Sequence, residues 1–295
     1  MSDSEWRFRP GDPVVPDVIA QKLLGGGEAY EAYLAFDEVL YSPIVIKVVR
    51  PDQVDNESTL RGLRREIAAL DRVEHPAVVR YFHADAEYER PYVALENIDG
   101  PRLSSLVRRH GQLPVQQLLP LGLEVASALH YLRHRDVVHL DIKPSNIIMG
   151  APARLIDLSV ARSERAAAEL TSPVGTDAYM APEQCDPTQA GTPGHASDMW
   201  GLGTTLFHAA AGYPAFDAGS DDENATVEER YPQLVNEPYA LPEFVPDEVA
   251  KLIFSCLEAE PVLRPTPQEF AESLEPLLAA MPKARLSGFK VALTR

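Results

Sequence analysis

Eight consecutive residues, His139-Leu140-Asp141-Ile142-Lys143-Pro144-Ser145-Asn146, constrain this chain more than any other segment. They lie between two apolar runs, Val137-Val138 and Ile147-Ile148-Met149, so they must form a polar loop pinned between buried stretches. Asp141 offers a base, and Lys143, two residues on, offers a cation. Pro144 stiffens the turn, and Asn146 presents an amide oxygen of the kind a hard metal ion prefers. A base, a cation and a metal ligand this close together suit the movement of a charged phosphoryl group.

The rest of the composition narrows the setting. The chain has 295 residues, 45% of them hydrophobic, which is enough for one large domain or two lobes. Its net charge of −17 repels nucleic-acid phosphates and anionic lipid, so neither is an expected partner. A nucleotide stays compatible, because glycine loops and single lysines bind phosphate locally. The sequence has no long apolar stretch of membrane-spanning length. Its start, Met1-Ser2-Asp3-Ser4-Glu5, is unlike a secretory signal, and the expected location is the cytoplasm. Cys185 and Cys256 are read as free thiols in a reducing compartment.

Organisation changes along the chain. Pro10, Gly11, Pro13 and Pro16 read as an extended N-terminal arm. Residues 18–50 alternate short apolar runs with turns, as a strand meander does, and Ile44 to Val49 reads as a buried strand. Leu60, Leu63, Ile67 and Leu70 repeat at helical spacing over residues 57–72. Strands are predicted over 78–82 and 91–95. After Gly100 helices dominate, over 118–132, 199–211, 247–258 and 267–280, the second of them apolar on nearly all sides. A strand-rich first third and a helical remainder imply two lobes joined near Glu96 to Gly100. The acidic stretch 217–229 reads as a solvated loop.

Three further groups carry chemistry. Gly25-Gly26-Gly27 joins two strands and lets backbone amides approach an anion. Lys47 lies within a buried strand, where an unpaired charge is costly, and Glu66 on the following helix is its natural partner. Asp157, at the end of the run Arg154-Leu155-Ile156, gives a second oxygen ligand beside Asn146. Gly175 to Glu183, Asp198 to Gly203, and Arg264-Pro265-Thr266 complete the series.

In this order and spacing, from about Val18 to about Leu278, the motifs resemble the eukaryotic-type serine/threonine protein kinases, above all the soluble ones of actinobacteria. The resemblance implies an α+β, two-lobed protein kinase fold: a small antiparallel β-sheet lobe with one helix, and a larger, mostly helical lobe. The implied boundaries are an arm over 1–16, a kinase domain over 17–281 (lobes 17–96 and 101–281, hinge 96–100) and a basic tail over 282–295; from its composition the tail is read as a disordered basic end, with self-phosphorylation at Arg285-Leu286-Ser287 the alternative. By resemblance, Gly25 and Gly27 cover the phosphates of ATP, and Lys47 contacts them while paired to Glu66. Ala32, Val45 and Ile148 sandwich adenine, Leu95 is the gatekeeper, and Glu96 to Ile98 bond the base. Asp141 is the catalytic aspartate and Lys143 steadies the transferred phosphate. Asn146 and Asp157 bind Mg²⁺, or Mn²⁺ in its place. Thr176 favours Ser or Thr acceptors on protein substrates, Thr171 and Ser172 lie in the activation segment, Glu183 pairs with Arg264, and Asp198 braces the catalytic loop. Oligomeric state is not implied.

Three positions depart from the family pattern. Tyr30 stands where the glycine loop has its third glycine, with its phenol expected over the phosphates. Leu140 replaces the arginine before the catalytic aspartate, which removes a docking cation for an activation-segment phosphate. Ser159 replaces the glycine of Asp-Phe-Gly, at a cost of about 1 kcal/mol if φ is positive there. None of these removes a group expected at phosphate or metal, so activity is expected, with a nucleotide-binding pseudokinase scaffold as the alternative.

Overall fold

A computed structural model describes residues 4–281 of the chain. The first lobe is an antiparallel sheet with strand order β1-β2-β3-β4-β6-β5. Its strands are β1 (Pro13–Val15), β2 (Val18–Gly26), β3 (Tyr30–Asp37), β4 (Ser42–Val49), β5 (Tyr81–Asp85) and β6 (Tyr92–Glu96). The β3–β4 register pairs Ala32 with Lys47 and Leu34 with Val45, and Lys47 in turn pairs with Val93 of β6. Alternation therefore puts Tyr30, Ala32, Val45 and Lys47 on one face, toward the second lobe. Glu31, Tyr33, Ile44, Ile46 and Val48 take the other face and are buried.

That outer face is covered by the N-terminal segment. Residues 13–15 pair with β2. Trp6 stacks on Phe8, Phe8 meets the Tyr33 ring edge-on, and the Trp6 indole donates to Val49 O at 2.7 Å. A strand apolar on both sides needs such a cover, which explains why this stretch does not simply extend into solvent.

The helix α1 (Glu57–Leu70) packs beneath the inner face. Asn56 caps it, its side chain accepting from the backbone amides of Ser58 and Thr59. Its buried positions are Leu63, Glu66 and Leu70, a helical stripe with a carboxylate in its middle. The predicted strand from Val78 starts three residues late. Val78 and Val79 instead turn inward, and Val79 N donates to Leu155 O at 2.9 Å, tying the first lobe to the second.

The second lobe holds α2 (Leu103–His110), α3 (Val115–His134), α4 (Glu164–Ala168), α5 (Pro182–Cys185), α6 (His195–Ala211), α7 (Val227–Arg230), α8 (Asp247–Ser255) and α9 (Pro267–Ala280). It also holds a two-stranded hairpin, β7 (Ile147–Ile148) and β8 (Arg154–Leu155). α6 is buried along almost its whole length, as its apolar surround predicted, and packs against α2, α3 and α8. One core runs from Leu63 and Leu95 down through Leu118, Leu132, Phe207 and Phe270. The predicted basic tail, with Arg285-Leu286-Ser287, lies outside the described residues.

Candidate active site

The octet forms a loop and a short 3-10 turn (Pro144–Asn146) leading into β7. Its backbone is held in an unfavourable shape. Leu140 has φ of 65°, a region that costs a residue with a Cβ roughly 1–2 kcal/mol. Both of its peptide groups are pinned. The buried Asp198 carboxylate of α6 accepts from Leu140 N at 2.7 Å and from His139 N at 2.8 Å. Gln184 donates to Leu140 O at 2.8 Å. Gly175 approaches the same carbonyl so closely that a Cβ there would sit 2.8 Å from it. Burial raises the Asp198 pKa to about 7 against the two amide donors. Gln184 was not singled out in the sequence, and a lone glutamine after Pro-Glu gives no signal of this role.

The loop fixes Asp141 in a dense polar cluster. Asn146 Nδ2 donates to Asp141 O at 3.0 Å and to its Oδ2 at 2.9 Å, which turns the amide oxygen of Asn146 away from Asp141. Lys143 Nζ lies 2.7 Å from Asp141 Oδ2 and 2.5 Å from Thr176 Oγ1, and Thr176 donates to Asp141 Oδ1 at 2.7 Å. Thr176, on a distant segment, thus meets this carboxylate directly, while Gln184 and Asp198 fix the backbone of the loop that carries it.

Across the cleft, Lys47 Nζ meets both oxygens of Glu66, at 2.8 and 3.1 Å, and Asp157 Oδ1 at 3.3 Å. Burial opposes the ammonium, but Glu66 and then Asp157 outweigh it, and the Lys47 pKa lies above the ordinary lysine value. Asp157 is held down at about 2; burial pushes it up, and Lys47 more than reverses that. Asp157, not Ser159, adopts the positive φ, 68°, so the serine carries no strain of the kind expected from its sequence. The pairing of Ile147 with Leu155 brings Asn146 and Asp157 to the same end of the hairpin. Two oxygen ligands are too few for a metal cage made by protein alone, and no cluster of three or more His, Cys, Asp or Glu side chains stands among the described residues. The pair instead fits a hard cation shared with phosphate oxygens.

The remaining predicted residues fall around this cleft. Gly25, near the end of β2, and Gly27, in the turn to β3, are exposed. Ala32 and Val45 line the inner sheet face, Leu95 is buried at the end of β6, and Ile98 is half-buried in the connection between the lobes. Ile148 lies against that connection from below, its Cγ2 placed 3.1 Å from a Cβ built on Gly100. Glu96 accepts from Arg154 Nη1 at 3.1 Å, so the connection is tied to the strand that precedes Asp157. Thr171 and Ser172 are exposed. Beneath them Val138, Leu140 and Ala167 form an apolar cluster with Val160, Leu170 and Val174. The phenol of Tyr30 turns inward to α1 and not across the glycine turn.

A curled sheet and one helix over a helical lobe, with a charged cleft between them, define a protein kinase domain. Residues 19–274 match the protein kinase domain family, and the chain belongs to it. It is 33% identical over 272 residues to the probable serine/threonine-protein kinase PkwA of Thermomonospora curvata, covering 90% of this chain and 35% of that protein. It is 32% identical over 238 residues to the serine/threonine-protein kinase AfsK of Streptomyces coelicolor, covering 80% and 29%. With PknB of Mycobacterium leprae the identity is 30% over 205 residues, 66% of this chain and 32% of that one. The chain spans about a third of the length of these relatives.

Proposed function

We propose that this chain is an ATP-dependent serine/threonine protein kinase. The observation that carries the reading is the Asp141 carboxylate, fixed by Asn146, flanked by Lys143 and Thr176, and facing a Lys47 already paired with Glu66 and Asp157. ATP enters between Ala32 and Val45 above and Ile148 below, with its adenine against Glu96 to Ile98 beside Leu95. Gly25 and Gly27 close over the phosphates, and Lys47 holds their α and β oxygens. Asn146 and Asp157 would hold a divalent cation, Mg²⁺ or Mn²⁺, which would supply neutralisation of phosphate charge.

The acceptor hydroxyl is oriented by Asp141, which takes its proton as the new oxygen–phosphorus bond forms and the bond from γ-phosphorus to the bridging oxygen breaks. Lys143 follows the moving oxygens, and ADP leaves. Thr176 bonds both Asp141 and Lys143, and its platform suits Ser or Thr on a protein chain. The kinase unit is placed at residues 17–281. No helix among the described residues is long and apolar enough to cross a membrane. The two separate buried free thiols, Cys185 and Cys256, fit the reducing cytoplasm.

Transfer of radiolabelled phosphate from ATP to a generic basic protein tests the proposal. Asp141→Asn and Lys47→Met should each abolish incorporation with the fold intact by circular dichroism. Wild-type rates in either variant would refute these assignments, and nucleotide binding without transfer by the unmodified protein would leave only the scaffold reading.

A further inference from the structure

Tyr30 is the departure whose placement says most. It opens β3 opposite Val49, on the same sheet face as Lys47. Its hydroxyl donates to Thr59 O in the first turn of α1 at 3.1 Å, and Lys47 Nζ stands 4.6 Å from its ring centroid. Gly62, midway along α1, faces the phenol: a Cβ there would lie 3.4 Å from Tyr30 Oη, an ordinary contact. Burial raises the phenol pKa, so the hydroxyl is a neutral donor at physiological pH.

The rest of α1 shows what this contact adds. The buried side chains of the helix start at Leu63, so its first turn is held by the Asn56 cap and by Tyr30 more than by packing. Glu66 lies one turn beyond Gly62 on the same face, and it must stay against Lys47. Leu140 offers no cation through which a phosphate could fix the segment around Thr171, whose contacts there are apolar.

We propose that Tyr30 is a positioning residue that braces the glycine turn against α1 and holds the Lys47–Glu66 pair assembled before nucleotide arrives. The ring restrains the ammonium from one side while the hydroxyl anchors the helix start. This rests on the phosphotransfer reading of the same cleft.

The test is hydrogen–deuterium exchange over residues 57–66 in nucleotide-free protein, with kcat and KM for ATP on the same preparations of wild type, Tyr30→Phe and Tyr30→Ala. Tyr30→Ala should speed exchange there about tenfold and lower kcat about tenfold, with KM for ATP changed less than about threefold. Tyr30→Phe keeps the ring but loses the bond to Thr59, so it should speed exchange by about threefold, between wild type and the alanine variant, with kcat nearer wild type. If the alanine variant does not fold, Tyr30→Leu, which keeps apolar bulk alone, carries the same expectation. Unchanged exchange in the alanine or leucine variant overturns the brace, whatever the activity. A raised KM with unchanged kcat also overturns it, because that marks a nucleotide contact instead. Faster exchange in a protein whose wild type transfers no phosphate would leave the brace standing and sink the kinase reading.

Discussion

The guanidinium of Arg264 grips both carboxylate oxygens of Glu183, at 2.7 and 2.8 Å, with neither side chain exposed. Its other donors reach Glu258 O, Ala259 O and Ala196 O, and Ser197 adds a hydroxyl to Glu183 at 2.6 Å. Every polar group of the pair is satisfied, which is the condition under which a buried ion pair holds. Arg264→Ala strands the carboxylate and should cost about 3–5 kcal/mol in urea denaturation. Arg264→Lys should rescue little of it, because a single ammonium cannot replace the planar fork.

The segment that carries Thr171 and Ser172 is ordered through apolar contact. Leu140, 2% exposed, packs with Val138 and Ala167 where a charged side chain would otherwise receive a phosphate. Thr176 already reaches Asp141 and Lys143. Replacing Thr171 and Ser172 together by alanine should therefore change kcat less than about threefold, as for other exposed loop substitutions. Initial-rate kinetics on the double variant check this, and a large loss contradicts it.

Arg50 joins three parts of the first lobe. Its Nε donates to Gly27 O at 2.7 Å, one terminal nitrogen donates to Ser4 O at 2.9 Å, and the same nitrogen lies 3.4 Å from the buried Glu31. Arg50→Ala should loosen the glycine turn and raise KM for ATP several-fold. It should also cost about 2 kcal/mol, since Glu31 keeps only Tyr33 and the Trp6 amide as partners. Titration with nucleotide and thermal unfolding separate the two effects.

Asp157 predicts an acid limb. Its folded value of about 2 lies below the ordinary aspartate value near 3.9. A carboxylate shifted this way stabilises the fold fully above its unfolded value, and loses that contribution as pH falls through the folded value. Between about pH 4 and pH 2 the wild type should lose stability more steeply than Asp157→Asn. Denaturant midpoints measured across this range test the sign.

Much of this cleft could be read from residue order alone. Asp141, Asn146 and Lys143 are close in sequence, and their geometry follows from a short pinned loop. The pairing of Lys47 with Glu66 followed from the difficulty of burying either charge alone. Other features depend on contacts that no local pattern encodes. α2 has only Leu103 and Val107 buried, too few apolar positions for a periodic signal. Val78 and Val79 look like strand residues because they are β-branched and buried, yet Val78 N bonds back to His75 O and Val79 N bonds Leu155 O of the β7–β8 hairpin. The N-terminal stretch reads as an arm from its prolines, while Trp6 and Phe8 cover a sheet face that only the folded register reveals. The inward turn of Tyr30 depends on its bond to Thr59, a residue on another element.

The apolar cluster formed by Val138, Leu140 and Ala167 ties the proposed activity to temperature. Contacts of that kind weaken on cooling, whereas a phosphate gripped by arginines does not share that dependence. Chilling should therefore loosen this cluster, and turnover should fall faster in the cold than the chemical step alone requires.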